Sequence, residues 1–137
     1  MAAEILASAH IVPNLSVRNG EAAIEFYKEA FGAVELFRIG APGQHVFAEL
    51  SIQGARFFLA DEAPAFGNLS PAALGGTSVR IDLLVSDPDA LHDRALRAGA
   101  TQISPVRDEA DGPRMGVVED PFGHRWLIGR HWTGKTA

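Results

Sequence analysis

Chemistry in this chain has to come from carboxylates, imidazoles and aromatic rings, because the 137 residues contain no cysteine. That excludes a thiolate nucleophile, a disulfide, a thiolate zinc site and an iron–sulfur cluster. Glu49 stands in the middle of the apolar run HVFAELSI (45–52). With a side-chain period of two, Phe47, Glu49 and Ser51 share one side, and Val46, Ala48, Leu50 and Ile52 share the other. The apolar set suits a face packed on a helix. Glu49 is then turned to the opposite face, where it could accept hydrogen bonds from a ligand or serve as a general base. The alternative is a rim carboxylate paired with an arginine. Arg80 and Asp82 share a face of VRIDLLV (79–85), away from Ile81, Leu83 and Val85. A charged pair in an apolar strand needs solvent or a partner, so it either contacts a ligand or forms a structural ion pair. Phe37, Phe57 and Trp126 lie in strand-like runs and could stack a planar ligand or simply fill a core. Trp132 follows the last run and could cap an opening or cover the core.

Other catalytic arrangements are missing. His10, His45, His92, His124 and His131 are scattered, with no His-x-x-x-His spacing of a helical metal site. A few could still converge on a metal through the fold. Ser8, Ser16, Ser51, Ser70, Ser78, Ser86 and Ser104 lack a glycine-flanked elbow. No glycine-rich loop at a strand–helix junction offers a nucleotide site, and LGGT (74–77) reads as the end of a linker.

The elements that must hold these residues occur twice. IVPNLSV (11–17) and VRIDLLV (79–85) read as strands, each followed by a helix-start residue, Asn19 or Asp87 with Pro88 behind it. The helices EAAIEFYKEAFG and DALHDRALRAG follow. Ile24, Tyr27 and Phe31 make one apolar face, and Leu91, Ala95 and Ala98 the other. Gly32 and Gly99 end them, and Gly32-Ala33-Val34-Glu35-Leu36 runs parallel to Gly99-Ala100-Thr101-Gln102-Ile103. Further strands are expected at 33–39, 45–52 and 55–60, and at 101–106, 114–119 and 124–130, joined by turns at Pro42-Gly43, Gln53-Gly54, Asp111-Gly112-Pro113 and Pro121-Phe122-Gly123. Each half therefore reads strand, helix, strand, strand, strand. The first module covers about 9–61, the second about 77–131, and the Ala-, Pro- and Gly-rich segment 62–76 links them without a clear period.

Composition sets the outer bounds. Hydrophobic residues make up 47% and charged residues 21%, as in a folded globular domain. Two independent domains would each be marginal at this length, whereas two halves sharing a core would not. The net charge of −5 gives no basic surplus for a nucleic-acid backbone. No apolar run reaches 18 residues, so no membrane span is expected. MAAEILASAH lacks the basic start of a signal peptide, and a cytoplasmic protein is expected.

The duplicated βαβββ pattern resembles the vicinal oxygen chelate superfamily, which includes glyoxalases, bleomycin resistance proteins and extradiol dioxygenases. The resemblance is carried by IEFYKEAFGA (24–33), AELSIQGARFFLADEAP (48–64), LGGTSVRIDLLVSDPDAL (74–91), RAGA (97–100) and GPRMGVVEDPFGHRW (112–126), and spans residues 11–131. It looks most like the subfamily labelled 3-demethylubiquinone methyltransferase-like, although nothing here supports methyl transfer. The resemblance implies an α+β fold, two βαβββ modules forming a curved, mainly antiparallel surface around a shared cavity, and a homodimer. Metal enzymes of the superfamily place His or Glu on the first and last strands of each half. The matching positions here are Val12, Phe58, Arg80 or Asp82, and Leu127. Three of the four slots are apolar, so no divalent metal and no other cofactor is expected. A histidine common in the subfamily is replaced by Phe47, another by Asp82, and an aromatic by Asp111.

The expected function is metal-independent binding of a small aromatic organic molecule by Phe37, Phe47, Glu49, Phe57, Arg80, Asp82, Trp126 and Trp132, as in drug-sequestering relatives. The alternatives are a divalent-metal lyase, isomerase or dioxygenase with unconventional ligands such as Glu49, Asp82 and histidines, or an interaction module whose cavity has collapsed.

Overall fold

In a computed structural model, which describes residues 8–41 and 43–132, both modules take the expected order of elements. The first consists of β1 (Asn14–Val17), α1 (Gly20–Phe31), β2 (Val34–Ile39), β3 (Phe47–Ile52) and β4 (Ala55–Asp61). The second consists of β5 (Arg80–Leu84), α3 (Pro88–Ala98), β6 (Thr101–Arg107), β7 (Met115–Glu119) and β8 (Arg125–Gly129). The expected signals do the local work. The Asn19 side chain accepts from the backbone of Ala22 and that of Asp87 from Ala90, while Gly32, at φ 67°, turns the chain out of α1.

Six of the eight strands are shorter than their apolar runs suggested, while β4 and β6 each run one residue longer. Pro13 has no N–H to give a ladder, and β1 starts only at Asn14. The linker is also more ordered than its composition suggested. It holds a 3-10 turn (Pro64–Phe66) and a short helix, α2 (Pro71–Leu74), capped by the Ser70 side chain. The N-terminal segment and Pro42 of the expected Pro42-Gly43 turn fall wholly or partly outside the described residues. No helix among the described residues is long and apolar enough to cross a membrane.

The two sheets have the same order, β1-β4-β3-β2 and β5-β8-β7-β6. In each, the first strand pairs in parallel with the last, and the remaining pairs are antiparallel. One face of each sheet carries its helix. Val46, Ala48, Leu50 and Ile52 are buried there as their alternation requires, along with Leu59 and Phe57 from β4. Opposite them, α1 contributes Ile24, Tyr27 and Phe31.

The modules join on these helix sides. Trp126 of β8 packs against Tyr27 and Phe31 of α1 and against Phe57 of β4, with ring centroids 5.5, 4.9 and 5.6 Å away. Arg94 of α3 donates to the Glu29 carbonyl at the end of α1. The helix-free faces do not close on each other. Within a single chain they stay open to solvent, with Phe37 and Ile39 on the first and Leu84 on the second all exposed. Within the chain the modules thus share a core on their helix sides. Phe57 and Trp126, two of the aromatic residues that might have lined a cavity wall, serve instead to glue the two modules together.

Candidate functional site

The helix-free face of the first sheet gathers the side chains that could hold a ligand. Directly opposed strand residues project on the same side. β2 sets Phe37 opposite Glu49 and Ile39 opposite Phe47, and β4 sets Phe58 opposite Glu49 and Arg56 opposite Ser51. Glu49 therefore sits in a row between two phenyl rings, with Phe47 one row away. The rings form a continuous line: Phe37 and Phe47 are 5.8 Å apart between centroids, and Phe47 and Phe58 are 5.3 Å apart. A bulge between Glu35 and Phe37 restores Phe37 to this face.

Glu49 is 4% exposed, a carboxylate almost removed from water. Such a group needs a partner, and it has Arg56, whose Nε and Nη2 lie 2.7 and 2.6 Å from Glu49 Oε2. Glu49 is paired with an arginine, as one reading of the sequence had it, but in the middle of the strand rather than at a rim. A base already held by a guanidinium is poorly placed to take a proton from a substrate.

Arg80 and Asp82 lie, as their spacing suggested, on the helix-free face of the second sheet, beside Arg125 and Leu127 of β8. Both are exposed. Among the described residues they form no ion pair with each other, so the expected Arg–Asp pair is not realised. Trp132 is exposed beyond the end of β8.

Two expected ligand residues are misplaced. Phe57 and Trp126 lie on the helix sides, 3% and 1% exposed, in the core that joins the modules. Phe57 follows Arg56 and precedes Phe58, and one step along a strand reverses the face. Trp126 has the same parity as Ile128, which is buried with it. Its indole N–H donates to Asp120 Oδ2 at 2.9 Å. Sequence reasoning passed over Arg56 and treated Phe58 only as an apolar metal slot. The available signal was that both share strand parity in β4, one opposite Ser51 and the other opposite Glu49.

The family's metal positions do not suit a divalent ion. Phe58 and Leu127 bring no lone pair to their slots, and Asp82 stands beside an arginine rather than beside other donors. Among the described residues no three His, Asp or Glu side chains converge on one point. The histidines are committed or remote. His124 Nε2 donates to the Ser16 carbonyl at 2.8 Å, His92 is buried beside Gln102, and His10, His45 and His131 are exposed. A crevice of about 350 Å³ lies along the seam between the modules, lined by Pro13, Ser16, Leu69, Leu74, Val79 and His124. None of Phe37, Phe47 and Phe58 lines it, although Asn14 at its edge stands opposite Phe58.

A buried polar knot, which sequence reasoning missed, ties the modules together. Asp120, 3% exposed, accepts from Tyr27 Oη at 2.5 Å, from the Trp126 indole, and from the backbone N–H groups of Phe122 and His124. Burial and the neighbouring carboxylate hold the Tyr27 hydroxyl well above the ordinary tyrosine range.

Comparison with known proteins agrees with this architecture. The model of the Glyoxalase/Bleomycin resistance protein/Dioxygenase superfamily matches residues 7–128. An uncharacterized protein of Mycobacterium bovis is 45% identical over 122 residues, covering 86% of this chain and 80% of its own length. The crystal structure of TioX from Micromonospora sp. ML1 superposes with a TM-score of 0.71 at 27% identity, covering 93% of this chain and 100% of its own. An X-ray structure of a gene product from Arabidopsis thaliana gives 0.69 at 30% identity, covering 90% and 99%.

Proposed function

The chain belongs to the glyoxalase/bleomycin resistance protein/dioxygenase superfamily, and from that premise we propose that it binds a small aromatic organic molecule, without a metal, on the helix-free face of the first sheet. The observation that carries this reading is the line of Phe37, Phe47 and Phe58, left uncovered in the single chain around a carboxylate that is already paired. A planar ring laid on this line gains apolar burial and offset or edge contacts with phenyl faces. No residue there is armed as a nucleophile or free base, so the site holds its ligand without transforming it, in the manner of a drug-sequestering protein. Metal independence is supported by the apolar residues at the family's ligand positions.

The ligand face is completed by a second copy of the chain. The helix-free face of the second sheet, with Arg80, Asp82 and Leu127, is also unpaired. A homodimer that apposes first and second sheets would enclose the ring and bring Arg80 and Asp82 to it. Calorimetric titration with a panel of aromatic compounds tests the reading. Saturable binding is expected with one or more members, unchanged by chelator, and Phe47→Ala should weaken it by about ten-fold or more. Binding that requires added manganese, iron, nickel or zinc, or that Phe47→Ala leaves intact, would overturn it. Sedimentation of the purified protein should give twice the mass of one chain.

A further inference from the structure

We infer that the ligand of this face is an aromatic acid, with its anionic group held by Arg56 and Ser51. This rests on the aromatic-binding reading above and adds the chemistry of the ligand's polar end. Arg56 directs Nε and Nη2 at one oxygen of Glu49 and no further. Its Nη1 donates to no acceptor among the described residues. The partners differ in access, with the Arg56 side chain 38% exposed and that of Glu49 only 5%. A molecule arriving at this face therefore meets the guanidinium, while the carboxylate beneath it is shielded. Ser51 lies directly opposite Arg56 across β3 and β4, and its hydroxyl is uncommitted among the described residues. Together they offer a charged N–H and a hydroxyl one row from Glu49 and Phe58.

Charge and geometry both favour an anion here. The other residues that the strand pairing places on this face, Asn14, Ser16, Val34, Ile39 and Ala60, are uncharged. An ammonium group would have to pass the guanidinium to reach Glu49. A carboxylate instead finds a planar donor whose orientation the buried Glu49 has already set, so little side-chain freedom is lost on binding. Glu49 is thus a positioning residue: it fixes Arg56 and does not itself contact the ligand's acid group.

The test compares three probes of one shape: naphthalene carboxylate, its neutral carboxamide and the cationic naphthylmethylamine. Each is titrated calorimetrically into the full-length protein, into the Glu49→Gln/Arg56→Gln double variant, and into Arg56→Lys and Phe47→Ala. The double variant removes both charges together, so it leaves no lone buried charge to unfold the sheet. The wild type should bind the carboxylate about ten-fold more tightly than the carboxamide, and the amine most weakly. The double variant should bring carboxylate and carboxamide to within about two-fold of each other, by weakening the carboxylate more than the carboxamide. If that variant does not fold, Arg56→Lys decides, since it keeps the charge but loses the planar fork. It should weaken the carboxylate several-fold and the carboxamide less, narrowing the gap between them. Equal affinity for carboxylate and carboxamide, or tightest binding of the amine, would overturn the inference. If Phe47→Ala still weakens all three probes in that case, the aromatic-binding reading survives alone. If no probe binds, or Phe47→Ala weakens none, both fall.

Discussion

Asp120 and Glu49 are both buried acids with opposite consequences. Asp120 accepts four hydrogen bonds, two from the backbone and two from aromatic side chains that belong to different modules. It is a structural fastener with no accessible chemistry. Glu49 satisfies one exposed arginine and so shapes a surface. Tyr27, the only tyrosine in the chain, gives the fastener a measurable signature. Unfolded, it ionises near about pH 10. Folded, burial and Asp120 keep its proton on to higher pH. A raised folded value stabilises the native state below the unfolded value, and that contribution is lost as pH climbs between the two. Stability should therefore fall by up to about 1.4 kcal/mol per pH unit in that alkaline interval. Urea unfolding across the interval, followed by phenolate absorbance, checks this. Tyr27→Phe should lower stability by about 1–2 kcal/mol at neutral pH, because Asp120 loses a donor. It should also flatten the alkaline slope.

At the scale of elements, close backbone approach decides where side chains are forbidden. α3 packs on β7 at Gly116, where a Cβ would come within 2.8 Å of His92 Nδ1 and of Val106 side-chain and backbone atoms. The His92 ring is buried and its Nε2 is held against Gln102 Oε1 at 3.0 Å, so moving it away would break that contact. Gly116→Ala should lower stability by about 1–3 kcal/mol, read from the shift in urea midpoint. If it leaves the midpoint unchanged, the helix stands further from the sheet than described. Among the elements, the two amphipathic helices and their caps were the most legible. Helical period, Asn19 or Asp87 ahead and Gly32 or Gly99 behind are local signals that need no partner. The ordered turn of α2 was not legible, because a helix this short has too few residues for any period.

At the scale of the molecule, the joint between modules carries the stability. Trp126, Tyr27, Phe31 and Phe57 come from both halves and form one aromatic cluster. Residues 8–62 expressed alone would expose their share of that cluster and leave the Tyr27 hydroxyl without Asp120. At 55 of the 137 residues, such a fragment is already marginal. It should show neither a cooperative thermal transition nor near-ultraviolet circular dichroism from fixed aromatic rings. A folded monomeric fragment would refute the idea that the joint is required.

By itself the sequence determined the repeat, the order of strands and helices, the faces of α1 and α3, and the two-sided character of β3. All of these follow from periods of 3.6 and 2 and from capping residues, which act over a few positions. Parity also set Phe47 and Glu49 opposite the face of Val46, Ala48, Leu50 and Ile52, whereas Phe37 reaches their side only through the bulge in β2. Tertiary structure alone decided which sides of the sheets meet. Nothing local distinguishes a module that offers its helix side to its twin from one that offers its open side, since both faces carry aromatics. For that reason Phe57 and Trp126 belong to the core, Asp120 became a fastener, and Arg56 emerged as the partner of Glu49. Ion pairs and cores of this kind join residues distant in the chain, and only the register between strands and the docking of the two halves brings them together.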